Sequence, residues 1–207
     1  MKGGRRLRRG YFITLEGIDG CGKSTAAHLL ADHLQAVGQA VTLTYEPGAS
    51  QLGGKLRHML LADSALQPET RTEALLFAAD RAAHVQEIII PALTAGHVVI
   101  CDRYTDSTLA YQGGGRGLSE AFLRQLNDFA CFGVYPDITF FLDLPLSLAR
   151  QRQGQSRDRL EQEEEEFFMR IAAVYRRLAA EESARIRVIK ADQKPEQVLA
   201  AMLEHIK

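Results

Sequence analysis

Five short apolar runs recur along the chain, and β-branched and aromatic residues are frequent in them. They are Tyr11–Leu15, Val41–Tyr45, Val98–Cys101, Ile138–Leu142 and Ile186–Ile189. Because most positions in these runs are apolar, the pattern predicts strands that are buried on both faces. The stretches between them have the apolar spacing of helices, as at Leu30, Leu34 and Val37. Strands that alternate with helices predict a parallel sheet.

Right-handed crossovers between parallel strands place helices on both faces of the sheet. The pattern therefore predicts an α/β fold of three layers, α/β/α, around a five-stranded parallel sheet, with ligands at the edge where the carboxyl ends of the strands meet. No repeat or linker rich in Pro, Ser or Gly divides the chain, so we expect residues 11–207 to form one domain. Residues 1–10, basic through four arginines, are expected to be a disordered start without function.

The most polar region of the chain is Gln151–Glu166, between a helix that starts near Pro145 and another that runs to Glu181. It has few apolar anchors, which predicts a mobile flap and a short lid at about residues 150–160. The acidic run Glu161–Glu166 is expected to be a solvated face, because successive glutamates on a helix point in different directions.

Composition limits the possible partners. The chain has 207 residues, 46% hydrophobic, and a net charge of -1, so no overall field attracts nucleic acid or an anionic membrane. No run reaches the roughly 18 apolar residues of a membrane span, and the run at Tyr11–Leu15 is shorter than the apolar core of a signal peptide. The three cysteines include no C-x-x-C pair, which favours a reducing, cytoplasmic location.

One motif directly follows the first predicted strand. The sequence Gly17-Ile18-Asp19-Gly20-Cys21-Gly22-Lys23-Ser24-Thr25 matches G-x-x-x-x-G-K-[ST] between a strand and a helix. In such a P-loop, glycines allow backbone N–H groups to surround a phosphate at the positive end of the following helix. Lys23 would reach the β- and γ-phosphate oxygens, and the Ser24 hydroxyl would ligate Mg²⁺. The motif predicts an ATP site that includes the backbone of Cys21.

Two charged residues end the third apolar run. Asp102 is expected to hold the shell of the magnesium ion opposite Ser24, the alternative being a cap at the strand end. Arg103 beside a phosphate site favours a second phosphate, the alternative being an isolated surface charge. These features predict a nucleoside triphosphate site but no reaction, since a switch protein would also bind there. The chain contains no Asn/Thr-Lys-x-Asp segment of the kind that reads guanine.

From Tyr11 to Lys207 the chain resembles the bacterial thymidylate kinases, a group of nucleoside monophosphate kinases with a P-loop. The resemblance rests on Glu16-Gly17-Ile18-Asp19-Gly20 through Thr25, Glu46-Pro47-Gly48, Lys55-Leu56-Arg57, Phe77-Ala78-Ala79-Asp80-Arg81, Asp102-Arg103-Tyr104, Asp106-Ser107-Thr108-Leu109-Ala110-Tyr111-Gln112-Gly113, Pro136-Asp137 and Asp158-Arg159-Leu160-Glu161. It implies transfer of the γ-phosphoryl group of ATP to thymidine 5′-monophosphate (dTMP), giving ADP and thymidine 5′-diphosphate (dTDP).

The resemblance also implies the residues that bind dTMP, namely Asp19, Glu46, Pro47, Arg57, Phe77, Arg81, Arg103, Thr108, Tyr111 and Gln112. Phe77 and Arg81 stand four apart in a helical stretch, so a ring can stack on a pyrimidine while a guanidinium donates to its edge. Alone, the pair would be interpreted as a core phenylalanine beside a surface arginine.

The remaining roles follow from the same resemblance. Arg57 and Arg103 would hold the monophosphate, Asp19 the 3′-hydroxyl of the sugar, and Glu46 would act through magnesium or water. Arg150 would lie over adenine, beside the backbone of Ala191. No general base is needed, since the attacking oxygen already belongs to an anion. The predicted catalytic groups are Lys23, Arg103, Asp19 and a lid arginine, either Arg152 or Arg157.

The chain departs from the family pattern at Tyr45, where an arginine usually precedes Glu-Pro-Gly, and at Ala49 and Ser50. We expect these differences to change how the monophosphate is positioned. The family implies a homodimer through helices that include the one predicted from Thr70 to Ala95. Two other functions remain open, a kinase for another acceptor such as uridylate or a deoxynucleoside, and a switch that binds nucleotide without an acceptor.

Overall fold

The structure is a computed structural model that describes residues 10–62, 66–153 and 158–206. One sheet contains five parallel strands, in the order β2-β3-β1-β4-β5. The strands are β1 (Tyr11–Glu16), β2 (Val41–Tyr45), β3 (Val98–Asp102), β4 (Ile138–Asp143) and β5 (Ile186–Lys190). All five predicted strands are confirmed, and four of them continue one residue beyond the predicted end.

Strand order determines where a ligand can bind. The chain passes from β1 to the edge at β2, returns through β3, and then crosses β1 to β4 on its other side. Such a reversal opens a crevice beyond the carboxyl end of β1. Leu15 pairs with Asp102 across β1 and β3, so the loop that leaves β1 begins beside the end of β3.

Nine α-helices occur in the described part of the chain. They are α1 (Lys23–Ala36), α2 (Gln51–Arg57), α3 (Thr70–His84), α4 (Ile90–Thr94), α5 (Thr105–Thr108), α6 (Glu120–Cys131), α7 (Leu146–Arg152), α8 (Glu165–Glu181) and α9 (Pro195–Leu203). Wider π-helical turns extend three of them, at His58–Ala62, Val85–Ile89 and Leu109–Gly115. None of the helices described here has the length and apolar character needed to cross a membrane.

Alternate residues of β1 enter two separate apolar clusters. Ile13 and Leu15 pack in the larger cluster with Leu30 of α1, whereas Phe12 packs in the smaller one with Ile89. Since successive side chains of a strand point to opposite faces, helices cover both sides of the sheet. The predicted three-layer α/β/α architecture is therefore confirmed.

The helix predicted from Thr70 to Ala95 is helical over almost its whole length but is not regular. It consists of α3, the π-helical turn Val85–Ile89 and α4. Pro91 stands at the start of α4 and has no N–H to donate to the preceding turn. A regular α-helix would need an N–H at this position. The helix changes to π-helical hydrogen bonding just before it, at Val85–Ile89.

The polar region predicted as a flap has a defined boundary on each side. Helix α7 continues to Arg152, and α8 begins at Glu165. Residues 154–157, and with them Arg157, lie outside the described residues, as do residues 1–9 of the basic start. In the acidic run, Glu163 is 2.6 Å from Arg116, so this carboxylate is paired rather than purely solvated.

Candidate active site

The loop between β1 and α1 contains three glycines with positive φ. The angle is 144° at Gly17, 82° at Gly20 and 95° at Gly22. A Cβ at Gly20 would lie 2.3 Å from the carbonyl oxygen of Ala149, so a side chain is sterically excluded there. Gly22 precedes α1 and provides no side-chain cap. The N–H groups in the first turn of α1 are therefore available to an anion, as the P-loop motif predicts.

Lys23 holds this loop from within. Its Nζ donates to the carbonyl oxygen of Ile18 at 3.0 Å and lies 3.8 Å from Oδ1 of Asp19. Cys21 is buried, and its backbone N–H also donates to Ile18, at 3.2 Å. Burial raises the pKa of the Cys21 thiol despite the nearby charges of Lys23 and Arg103. The Cys21 side chain therefore packs as a buried, neutral thiol, while its backbone forms part of the loop.

A hydroxyl and a carboxylate meet where β1 and β3 end. The hydroxyl of Ser24 donates to Oδ2 of Asp102 at 2.6 Å. The other oxygen of Asp102, Oδ1, is buried and has no hydrogen-bond partner among the described residues. No cluster of three or more His, Cys, Asp or Glu side chains suited to a metal occurs in the described segments. Ser24 and Asp102 fit Mg²⁺, which typically takes few protein oxygens and completes its shell with water and phosphate.

Arg103 follows β3 in the left-handed conformation, with φ at 73°. Its guanidinium donates to the carbonyl of Gly17 (3.1 Å), Ser107 Oγ (3.2 Å), Asp19 Oδ1 (2.5 Å) and the Tyr111 hydroxyl (3.0 Å). The Tyr111 hydroxyl in turn donates to Asp19 Oδ2 at 2.8 Å. Burial would raise the pKa of Asp19, but the positive charges of Arg103 and Lys23 outweigh it and lower that pKa. Asp19 is therefore an ionised acceptor at neutral pH.

Glu16 anchors the segment after Arg103, a role that the sequence did not reveal. Its carboxylate accepts from the N–H of Tyr104 (2.8 Å), the N–H and hydroxyl of Ser107 (3.2 and 2.6 Å) and the Tyr175 hydroxyl (2.8 Å). Burial and the carboxylate of Asp106 raise the pKa of Glu16 to about 7. An acidic residue at the end of a fully buried strand was the available signal, because such a group requires buried donors.

A second buried network surrounds Glu46. Arg81 donates through Nε to Glu46 Oε2 at 2.9 Å, and through Nη1 to Thr108 (2.7 Å) and Asn127 (2.8 Å). His84 Nδ1 lies 2.8 Å from Glu46 Oε1 and therefore donates to it. The sequence analysis did not identify His84 or Asn127, since both act only through neighbours that are distant along the chain.

Asp80 supports the loop that carries Glu46. Its Oδ1 accepts from the N–H of Gly48 at 2.9 Å, while Oδ2 is buried and has no partner in the described part of the chain. Burial and the charge of Glu46 raise the pKa of Asp80 to about 6. The unpartnered oxygen is where a proton would reside below that pH.

Two cavities open at this edge of the sheet. The larger, of about 880 Å³, extends along the P-loop and is lined by eight of the eleven residues predicted to bind ATP. Those eight are Asp19, Gly20, Cys21, Gly22, Lys23, Ser24, Thr25 and Ala191. Gly17 and Ile18 contribute carbonyl oxygens that accept from Arg103 and Lys23 instead.

The smaller cavity, of about 160 Å³, is lined by all ten residues predicted to bind dTMP. Phe77 and Arg81 both line it, as their spacing on one face of a helix predicts. Ser107, Leu61 and Leu160 also line it, and the sequence analysis did not identify them as site residues. The two cavities share Asp19, Glu46, Arg57, Arg103 and Glu161, so they form one continuous site.

Arg57 and Tyr45 lie together in the wall of the larger cavity, and Arg57 also lines the smaller one. Arg57 Nη1 donates to the carbonyl of Pro47 at 2.8 Å, and its guanidinium is 5.9 Å from the centre of the Tyr45 ring. Tyr45, which occupies the usual arginine position of the family pattern, therefore supports one cation in place of adding another.

The described arginines of the lid differ in position. Arg152 lines the larger cavity and donates to the carbonyl of Ala191 at 3.0 Å. Arg150 lies 5.4 Å over the ring of Phe168, and its contact with adenine stays a prediction. Arg159 is engaged elsewhere, since it donates to Glu73 at 2.6 Å and to the carbonyl of Leu60 at 2.9 Å.

Comparisons with known proteins show what the chain as a whole is similar to. A family model described as thymidylate kinase matches residues 15–202. The chain is 49% identical over 197 residues to a thymidylate kinase of Desulfovibrio desulfuricans, covering 91% of each chain. It is 50% identical over 198 residues to one of Synechococcus sp. strain JA-3-3Ab, covering 95% of each. The crystal structure of thymidylate kinase from Ehrlichia chaffeensis is similar with a TM-score of 0.79 and 35% identity, covering 96% of this chain and 99% of that one.

Proposed function

The chain belongs to the thymidylate kinase family, and we propose that its two joined cavities bind ATP and dTMP with their phosphate groups end to end. The reaction of the family transfers the γ-phosphoryl group of ATP to dTMP, giving dTDP and ADP for the synthesis of dTTP. The observation that supports this arrangement most strongly is the common wall of the cavities, where Asp19, Arg57 and Arg103 contact both spaces.

ATP occupies the larger cavity. Its β- and γ-phosphates lie on the backbone N–H groups of the P-loop and on Lys23, and adenine lies near Ala191 and the lid residue Arg150. Mg²⁺, held by Ser24 and Asp102, would neutralise charge on the phosphate oxygens when bound. The unpartnered oxygen of Asp102 supports this assignment, because a buried carboxylate oxygen is costly to leave without a donor or a cation.

The acceptor occupies the smaller cavity. Thymine stacks on Phe77 near Gln112 and Thr108, while Asp19 accepts from the 3′-hydroxyl of the sugar. Arg57 and Arg103 hold the monophosphate by charge-assisted hydrogen bonds. Glu46 and the backbone of Pro47 complete that end of the cavity. Tyr111 supports both Asp19 and Arg103 through its hydroxyl.

Transfer then depends on alignment and charge. An oxygen of the monophosphate forms a bond to the γ-phosphorus while the bond to the β,γ-bridging oxygen breaks, and ADP leaves. Lys23, Arg103 and an arginine of the lid surround the transferred group with positive charge. We assign that lid arginine to Arg152, which lines the larger cavity, whereas the alternative, Arg157, lies outside the described residues.

Helix α6 supports the proposal that the enzyme is a homodimer. Phe122, Phe129 and Phe132 are exposed on and just after this helix, Phe129 to 83%. Helix α6 packs beside α3, the first part of the segment expected at the interface. A second copy that covers this face would remove three aromatic rings from water. The three buried free thiols support a cytoplasmic location for such a dimer.

The test is the rate of ADP release with Mg²⁺, ATP and a panel of nucleoside monophosphates. The highest kcat/KM is expected with dTMP, and a kinase for another acceptor would prefer a different member of the panel. A switch would release ADP at a rate independent of every acceptor. Arg103→Lys is the matched variant, because lysine keeps the positive charge but cannot donate two parallel hydrogen bonds to one phosphate. Acceptor-dependent release should fall while ATP still binds.

A further inference from the structure

Glu73 is a buried carboxylate on α3 that joins three parts of the chain. Its Oε1 accepts from Gln112 Nε2 at 3.1 Å and from Arg116 Nε at 3.2 Å. Its Oε2 accepts from Arg116 Nη2 at 3.3 Å and from Arg159 Nη2 at 2.6 Å. The side chain is 1% exposed. Two guanidinium groups thus balance the charge, and both carboxylate oxygens are fixed in place.

This contact determines how the Gln112 amide is oriented. A carboxylate between two guanidinium groups is an acceptor, so the amide nitrogen of Gln112, and not its oxygen, must face Glu73. Gln112 is buried and lines the smaller cavity. With one N–H of the amide donated to Glu73, Oε1 remains as the acceptor that Gln112 can present to a bound base.

Arg81, the other polar side chain expected to read the base, has its donors engaged by the protein. Its Nε donates to Glu46, its Nη1 to Thr108 and Asn127, and its Nη2 to the carbonyl of Tyr104 at 3.0 Å, and Nη2 also lies 2.9 Å from the Glu46 carboxylate. Any bond from Arg81 to a base must share one of these donors. Oε1 of Gln112 is therefore available to a base, whereas a bond from Arg81 to the base would compete with bonds inside the protein.

We propose that Glu73 is a positioning residue for base specificity, which holds the Gln112 amide so that Oε1 accepts from the N3–H of thymine. This inference rests on the proposed binding of dTMP in the smaller cavity. Thymine and uracil carry a hydrogen on N3, whereas N3 of cytosine is an acceptor and would face Oε1 without a proton between them. With Glu73 fixed, reversal of the amide would turn Oε1 toward a carboxylate, so the acceptor stays on the side of the base and not a donor that would suit cytosine.

Glu73→Gln tests this role, since a neutral amide can either accept from Gln112 or donate to it. The informative quantity is the ratio of kcat/KM for deoxyuridine monophosphate to that for deoxycytidine monophosphate, two acceptors that differ in hydrogen-bond polarity. We expect this ratio to fall about tenfold, the effect of one mismatched buried hydrogen bond. The ratio of kcat/KM for dTMP to that for deoxyuridine monophosphate reports only on the methyl group, and it should not change in Glu73→Gln.

Glu163→Gln is the matched control. It removes another carboxylate that pairs with Arg116, at 2.6 Å, and it should leave the uracil-to-cytosine ratio unchanged. In a Gln112→Leu background, Glu73→Gln should have no further effect on that ratio, because the amide through which it acts is gone. If the role of Glu73 were purely structural, Glu73→Gln would lower kcat/KM for all acceptors by the same factor, and it would do so in the Gln112→Leu background as well.

An unchanged ratio in folded Glu73→Gln, or an effect that persists in Gln112→Leu, would overturn the inference. If Glu73→Gln does not fold, Gln112→Leu alone decides, because the inference requires a roughly tenfold loss of the ratio in that variant. If the wild-type protein uses dTMP and the variants give either contrary result, only the role of Glu73 is refuted. Wild-type protein that does not use dTMP refutes the proposed function instead.

Discussion

Replacing Phe77 by alanine removes the ring on which we expect thymine to stack. Phe77 is half-buried, with part of its ring packed against the larger apolar cluster and part lining the smaller cavity. Stacking of a base on an aromatic side chain is worth about 1–3 kcal/mol by alanine substitution. At 1.4 kcal/mol for each factor of ten, the Kd for dTMP should rise about 5-fold to 150-fold.

Isothermal titration of the purified variant with dTMP, and separately with ATP, measures both affinities. The Kd for ATP should change little, because Phe77 is not among the residues that line the larger cavity. Phe77→Leu is the matched control, because it keeps apolar volume but loses the aromatic face. Its Kd for dTMP should lie between the values for the wild-type protein and for Phe77→Ala. A dTMP affinity that stays at the wild-type value in a folded Phe77→Ala protein would refute the stacking argument.

Three further outcomes follow. Asp102→Asn should raise the Mg²⁺ concentration for half-maximal activity by about 10-fold to 100-fold, read from Mg²⁺ titrations of ADP release, and an unchanged requirement would remove Asp102 from the metal site. Because the folded protein raises the pKa of Asp80 to about 6, protonated Asp80 contributes to the free energy of unfolding at low pH. This contribution declines as the pH rises from about 4 through 6. The free energy of unfolding, measured with urea at several pH values, should decline on the order of 3 kcal/mol over this range in the wild-type protein and less in Asp80→Asn. If the two proteins show the same dependence on pH, the prediction is contradicted. Phe129→Glu should convert a dimer to a monomer in sedimentation velocity, and identical sedimentation would exclude α6 from the interface.

The sequence predicted the sheet well for a specific reason. Strands buried on both faces are apolar at most positions, so runs such as Val98–Cys101 are visible without tertiary information. The P-loop was equally clear, because its glycines meet backbone requirements that are local in the sequence. The widened turn at Val85–Ile89 was not predicted, since its side chains fit an ordinary helix and only the following Pro91 indicates a disruption.

The supporting network of the site was not predicted from the sequence. Glu73 accepts hydrogen bonds from residues 39, 43 and 86 positions away, and no local pattern encodes such partners. The engagement of Arg81 by Glu46 and Asn127 is hidden for the same reason. The resemblance to the thymidylate kinases indicated which residues face the cavity, with support from spacing for Phe77 and Arg81, whereas the partners that orient them depend on the fold as a whole.

The central claim is that two nucleotides occupy the joined cavities at once, with their phosphates meeting at the wall formed by Asp19 and Arg103. A crystal structure with dTMP, Mg²⁺ and a non-hydrolysable ATP analogue tests it most directly. The account predicts thymine against Phe77, the triphosphate on the P-loop at Lys23, and the acceptor phosphate in line with the γ-phosphate. Density for dTMP outside the smaller cavity, or phosphates that point away from each other, would contradict it.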